Sequence, residues 1–151
     1  MFLYLASKKN IVIIPYRGTI KRFLSNENLN SETILTVLKE RTRIKNQRHD
    51  PRVNKLIHKV INDKKEEFLN EFKQVKSYGI FGSFAMNKEN EYSDLDMLIV
   101  CDEDYTNELE YEIKSYWKQF FDIEMDVKIV KEDEIDQELT ECMKMTLKMV
   151  N

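Results

Sequence analysis

Gly82-Ser83-Phe84-Ala85-Met86-Asn87, followed by Ser93-Asp94-Leu95-Asp96-Met97-Leu98-Ile99-Val100, is the stretch on which the reading of this chain turns. The apolar run Tyr78 to Phe81 predicts a strand that stops at Gly82, and Asp94 to Val100 predicts a second. A glycine directly after a strand permits a tight turn and close approach of backbone to a ligand. Ser83 adds a hydroxyl, and the helical turn that follows begins with unpaired N–H groups. Gly82 and Ser83 are therefore expected to cradle phosphate. In Asp94-Leu95-Asp96, residues two apart on a strand face the same way, so both carboxylates project together while Leu95 turns to the core. Like charges this close raise one another's proton affinity unless a cation lies between them. Magnesium is the hard ion that suits such a pair. The unbroken run Met97-Leu98-Ile99-Val100 fits a central strand buried on both faces.

Working outward, Ile123-Glu124-Met125-Asp126-Val127-Lys128-Ile129-Val130 alternates strictly and predicts a third strand. Ile123, Met125, Val127 and Ile129 share one face; Glu124, Asp126 and Lys128 share the other. Taken singly, each piece has an ordinary alternative. Gly-Ser before a helix is common punctuation, Asp-x-Asp also serves as an acidic turn, and an alternating strand also serves as a half-solvated edge. The order of the three pieces is what separates them from these alternatives.

That order, a Gly-Ser turn, an Asp-x-Asp at the next strand and one Asp in a third, resembles the nucleotidyltransferase superfamily. This superfamily includes DNA polymerase β, aminoglycoside adenylyltransferases and the minimal nucleotidyltransferases of toxin–antitoxin pairs. The resemblance covers roughly 75–130. The family's Gly-Ser-x-Ala-x-Gly reads Gly82-Ser83-Phe84-Ala85-Met86-Asn87, and its Ser-Asp-hydrophobic-Asp reads Ser93-Asp94-Leu95-Asp96. Asn87 stands where the last glycine is usual, and asparagine tolerates the positive φ required there. The resemblance implies that Asp94, Asp96 and Asp126 are the catalytic, metal-holding residues of a two-magnesium site, and that Gly82 and Ser83 bind the nucleotide phosphates. It also implies a nucleoside triphosphate as substrate, ATP foremost.

At 151 residues, 42% hydrophobic and 34% charged with 3 Gly and 2 Pro, the chain can pack a core and is not disordered throughout. No run approaches ~20 apolar residues, so a membrane span and a membrane partner are not expected. Cys101 and Cys142 stand far apart without a Cys-x-x-Cys, which points to buried or half-buried thiols in a reducing cytoplasm. The net charge of −3 divides unevenly: 17 Lys and Arg face 8 Asp and Glu up to Ile80, and 7 face 19 beyond it. The first part is therefore a candidate surface for nucleic acid or an acidic partner, and the second a candidate cation site. Within 41–59, Arg41, Arg43, Lys45, Arg48, Arg52, Lys55 and Lys59 accompany a single acid, Asp50. They read equally as a phosphate-backbone surface or as solvated helix faces. Aromatics are absent from the tract, and His49 and His58 read as surface polar residues.

The fold class expected is α/β (α+β), a small mixed sheet flanked by helices. Residues 1–52 form a basic, helical N-terminal extension, with a hairpin or two buried segments at 2–6 and 11–15; residues 53–151 form the catalytic core. Helices are predicted at 31–43, from about 53 to 75, at 107–121 and from 132 to about 149. Thr19 to Leu24, a turn at 26–30 and the helix from Ser31 also fit a loose helix-turn-helix, although packing helices are the commoner cause. The last helix carries Leu139, Met143, Met145, Leu147 and Met149, an apolar face for the core, a second copy or a helical toxin partner. Three functions follow: a nucleotidyltransferase acting on a protein or RNA hydroxyl, an antibiotic nucleotidyltransferase, or a non-catalytic nucleic-acid-binding module. The short stretch after the third strand argues against a complete antibiotic pocket.

Overall fold

The computed structural model describes residues 2–6, 11–15, 31–102 and 104–151. β1 (Phe2–Ala6) and β2 (Ile11–Pro15) pair antiparallel, with Phe2 opposite Pro15 and Ala6 opposite Ile11, which is the hairpin of the two alternatives. Thr19 to Leu24 and the turn of the helix-turn-helix reading lie outside the described residues. α1 (Ser31–Arg43) follows, then a 3-10 turn (Lys45–Gln47) and α2 (Pro51–Asp63). α2 starts where chemistry favours it: the Asp50 side chain accepts from the Arg52 N–H at 2.8 Å, and Pro51 occupies the first turn, where no N–H is needed.

The single helix expected over 53–75 is two, α2 and α3 (Lys65–Glu71). The cause comes from later in the chain. The Tyr78 hydroxyl donates to the Ile61 carbonyl at 2.6 Å, the group an unbroken helix would offer to the Lys65 N–H. A side chain inserted into the i→i−4 ladder is a recognised origin of kinks. The exchange lets Tyr78, which is fully buried, satisfy its hydroxyl.

β3 (Val75–Phe81), α4 (Gly82–Ala85), β4 (Leu95–Cys101), α5 (Glu108–Lys118) and β5 (Met125–Lys131) complete the predicted strand order. The four-stranded sheet runs β5-β4-β3-β6, with β4 antiparallel to β3 and parallel to β5. β4 is buried on both faces. Leu95, Met97 and Ile99 enter the larger core with α2, α3 and α5, while Leu98 and Val100 enter a smaller one with Val130 and Leu139. Phe68, Tyr78, Tyr116 and Trp117 cluster in the larger core as tilted or edge-on pairs, with ring centroids 4.7 to 5.8 Å apart. Such aromatic pairs add to what area burial alone supplies. Val37 and Leu38 of α1, on the N-terminal side of residue 52, lie in the same core.

The helix expected from Glu132 to Met149 is a correction. A 3-10 turn (Glu132–Glu134), α6 (Ile135–Glu138) and α7 (Glu141–Thr146) are followed by β6 (Lys148–Met149). Leu139 is extended, and Thr140 caps α7 by accepting from the Met143 N–H. β6 then covers the open edge of β3, pairing Met149 with Gly79 and Lys148 with Ile80, and the Val150 N–H donates to Tyr78 O at 2.9 Å. Gly79 makes this approach possible: a Cβ there would lie 2.6 Å from Lys148 O and 2.8 Å from Met149 Cα. Leu139, Met143, Leu147 and Met149 do cover apolar surface, that of the smaller core, whereas Met145 is exposed. Among the described residues no helix is long and apolar enough to cross a membrane. Cys101 is buried, and burial pushes its thiol up to about 11; Cys142 is exposed, not half-buried as expected.

Candidate active site

The turn after β3 is built around two residues with positive φ. Gly82 has φ +73° and Asn87 has φ +55°. Asparagine therefore adopts the left-handed conformation that the family's final glycine supplies, and the loop closes with the Lys88 N–H donating to Ser83 O at 2.9 Å. Asn87→Gly is expected to leave stability within about 0.5 kcal/mol, while Asn87→Ala costs about 1 kcal/mol because alanine resists this conformation. Thermal melts of the two variants measure the difference.

Three strands bring their residues to one level of the sheet. Phe81 lies opposite Asp96 across β3 and β4, and Asp96 lies opposite Asp126 across β4 and β5. Parallel neighbours in register are about 4.8 Å apart along the hydrogen-bonding direction, so these two carboxylates rise side by side from adjacent strands. Asp94 sits just before β4 and is exposed, as is Asp126, while Asp96 is half-buried. The loop leading into Asp94 is tied by Asn90 and Ser93: Ser93 Oγ accepts from the Asn90 N–H at 2.9 Å, and Asn90 Oδ1 accepts from the Tyr92 N–H at 2.8 Å. The Leu95 N–H donates to Glu124 O at 2.9 Å, which locks the start of β4 to β5.

Gly82 does more than turn the chain. A Cβ on it would overlap Asp96 Oδ2, so the absence of a side chain lets the carboxylate lie against the backbone of the Gly-Ser turn. Loss of solvent, then the charges of Asp126 and Asp94, push the Asp96 carboxyl up to about 6. The fold thus holds three acids where they repel, which is the condition a divalent cation relieves. The donor set is all oxygen and fits a hard ion such as magnesium. As the side chains stand, the three carboxylates are not drawn together into a three-ligand cluster among the described residues, so full coordination would take rotation of the exposed Asp94 and Asp126.

Several positioning residues were not foreseen. Thr146 of α7 accepts the Gly82 N–H on its Oγ1 at 2.9 Å, while its own hydroxyl faces Cys142 O at 3.1 Å. Asn54 and His58 of α2 reach Phe84 O from the other side, Nδ2 at 3.3 Å and Nε2 at 3.0 Å. His58 is therefore half-buried against the turn rather than a surface residue. Only the polar residues of α2 on its buried side could have signalled this, and sequence periodicity does not separate them from solvated ones. Thr146→Val removes the partner of a half-buried N–H and should cost about 1 kcal/mol, read as a lower melting temperature. Thr146→Ser should retain it.

The basic tract is largely committed to local contacts. Arg41 is buried and donates from Nη1 to Gln47 Oε1 at 2.8 Å, which corrects its expected place on a phosphate-binding surface. Arg43 pairs with Glu40, Arg48 Nε donates to Thr42 O at 2.7 Å, and Arg52 forms a two-pronged pair with Asp50 at 3.0 and 3.1 Å. Lys45 lies over the exposed Tyr92 ring at 5.8 Å. Tyr92 comes from outside the tract.

A Gly-Ser turn between two strands, with Asp96 and Asp126 in register on the next strand pair of a mixed sheet flanked by helices, is consistent with a nucleotidyltransferase fold. Residues 63–146, more than half of the chain, match the family described as polymerase beta, nucleotidyltransferase, and the chain belongs to that family. Among solved structures it is similar to a candidate nucleotidyltransferase from Sulfolobus solfataricus, at 20% identity and a TM-score of 0.38, over 64% of this chain and 80% of that one. No curated protein matches it.

Proposed function

We propose that the chain transfers a nucleoside monophosphate from a triphosphate, ATP foremost, to a hydroxyl of an RNA or protein acceptor. The observation that carries this reading is the register pairing of Asp96 with Asp126 beside a glycine whose missing side chain makes room for Asp96. Gly82 and Ser83 hold the β- and γ-phosphates. Asp94, Asp96 and Asp126 are the residues that hold two magnesium ions, which when bound supply charge neutralisation for the triphosphate. The acceptor oxygen forms a bond to the α-phosphorus as the bond to the bridging oxygen breaks, and pyrophosphate leaves. The hydroxyl proton passes to Asp126. Positioning and charge compensation by the protein account for the catalysis, with no covalent enzyme intermediate.

The proposal extends to a place in a toxin–antitoxin pair, with a small helical partner or a second copy of the chain as the protein that meets it. An antibiotic acceptor and a non-catalytic nucleic-acid-binding role are the competing readings. The second is weakened because Arg41, Arg43, Arg48 and Arg52 already bond within the fold. The deciding experiment incubates the protein and magnesium with each of four α-labelled ribonucleoside triphosphates, in the presence of cellular RNA and protein. Label transfer with pyrophosphate release, absent in Asp94→Asn, is the expected result. No label on any acceptor and no pyrophosphate with any triphosphate would overturn the reading, and label on an added aminoglycoside or lincosamide alone would move it to the antibiotic class.

A further inference from the structure

Four lysines gather beside the loop that joins the Gly82 turn to Asp94. Lys55 and Lys148 line one cavity of about 510 Å³ with Asn87 and His49. Lys88 follows Asn87 directly, and Lys45, four residues before His49, lies over the Tyr92 ring at 5.8 Å. All four are exposed, and none forms an ion pair among the described residues. Other cations of the same half are answered: Arg43 by Glu40, Arg52 by Asp50 and Lys59 by Asp63. The acids of the loop itself, Glu89 and Glu91, are half-buried. The fold thus leaves a rim of unanswered positive charge next to the carboxylates, which is the footprint of a polyanion.

Tyr92 narrows the choice of polyanion. It is 75% exposed, on a loop held by the Tyr92 N–H on Asn90 Oδ1 and the Asn90 N–H on Ser93 Oγ. The ring contributes little to the core, and with Lys45 on one side it still stands open to a flat partner. Every base has such a face, and stacking on an exposed aromatic beside cations is how single strands are held without regard to sequence. The basic tract has no aromatic of its own; the fold supplies one from 40 residues away or more. An acidic protein segment would satisfy the lysines and leave the ring without a role, and a duplex keeps its bases covered.

We propose that Tyr92 and the rim of Lys45, Lys55, Lys88 and Lys148 form the surface that holds the acceptor, and that the acceptor is a single strand of RNA. The assignment rests on the transfer reading in one respect, that the strand's terminal hydroxyl reaches the carboxylates. Tyr92 is two residues from Asp94, at most about 7 Å along the chain, so a base stacked on the ring lies beside the site.

Anisotropy titration of the full chain with a labelled RNA dodecamer, in magnesium without triphosphate, reads the surface apart from transfer. The single strand should bind about tenfold or more tightly than its duplex and than an abasic dodecamer of the same charge. Tyr92→Ala should weaken the single strand about tenfold and leave the abasic one unchanged, while Tyr92→Phe retains the affinity. Lys55→Glu and Lys88→Glu, both at exposed positions, should weaken both strands alike and flatten their salt dependence. The proposal fails if the strand does not bind, if the duplex or the abasic strand matches it, or if Tyr92→Ala changes nothing. It fails also if polyglutamate of equal charge binds as tightly, which would mark an acidic protein as the partner. Binding of the expected pattern without transfer to any acceptor would remove the transfer reading and keep the surface; transfer to RNA that is indifferent to Tyr92→Ala would do the reverse.

Discussion

Asp96→Asn is expected to abolish nucleotidyl transfer, by a thousandfold or more on the order-of-magnitude scale of removing a metal-holding carboxylate, and yet to raise the melting temperature in chelator at pH 8. The two effects have one cause. The Asp96 carboxyl is shifted from 3.8 to about 6 by loss of solvent and by Asp126 and Asp94. A group whose folded pKa lies above its unfolded value contributes stability that is complete below the unfolded pKa and is lost as pH rises through the folded one. Above about pH 6 the ionised carboxylate therefore burdens the native state, and neutral asparagine does not. At full strength the shift corresponds to about 3 kcal/mol. Water reaches the half-buried side chain, and screening reduces the gain to about 1 kcal/mol, or about 4 °C for a domain of this size. The gain should shrink between pH 6 and pH 4 and vanish below. Magnesium should stabilise the unsubstituted protein more than the variant, because the variant would lack one of the proposed ligands. Melting curves at pH 4, 6 and 8, with and without magnesium, check each sign. A variant less stable than the parent at pH 8 in chelator would show that Asp96 is not held under repulsion.

What was legible in the sequence is what local pattern dictates, and what was not depends on contacts between distant segments. The strand order, the two-sided burial of β4 and the turn at Gly82 were readable because each depends on local pattern: an apolar run, a glycine, a period of two. Asn87 was readable for the same reason, since its φ of +55° is a local demand that few residues meet. The helix break at Lys64 was not. It is imposed by the Tyr78 hydroxyl taking Ile61 O across 17 residues of sequence, and no helix breaker marks the place. The C-terminal segment failed in the same way. Lys148-Met149 is too short to show a period, and it is a strand only because β3 has an open edge and Gly79 admits its backbone. The supports of the candidate site were equally hidden. Thr146, Asn54 and His58 act on the turn from 64, 30 and 26 residues away. The chain announces the residues expected to do chemistry, whereas those that hold them emerge only once distant segments meet. The basic tract gave the converse error: Arg41 looks like a surface cation in sequence, and its neighbour in space, Gln47, makes it a buried structural residue.

Gly82→Ala should damage transfer far more than one added methyl group suggests. Two costs add at this position. Alanine at φ +73° carries about 1 kcal/mol of backbone strain, and its Cβ would overlap Asp96 Oδ2. The methyl group cannot yield, being fixed to the backbone of a turn closed by Thr146 and Lys88, so Asp96 must swing away. Total destabilisation of about 2 kcal/mol is expected, together with a loss of transfer of about a hundredfold or more, since misplacement of a reacting group by about 1 Å has effects of this size. The two costs separate in a double-mutant cycle. With Asp96→Ala already present, the collision partner is gone, and Gly82→Ala should then cost only the backbone share of about 1 kcal/mol. Equal losses in both backgrounds would mean that the glycine serves the turn alone. A smaller loss in the Asp96→Ala background would establish that Gly82 is there to let a carboxylate rest against the Gly-Ser turn, the contact on which the transfer reading depends.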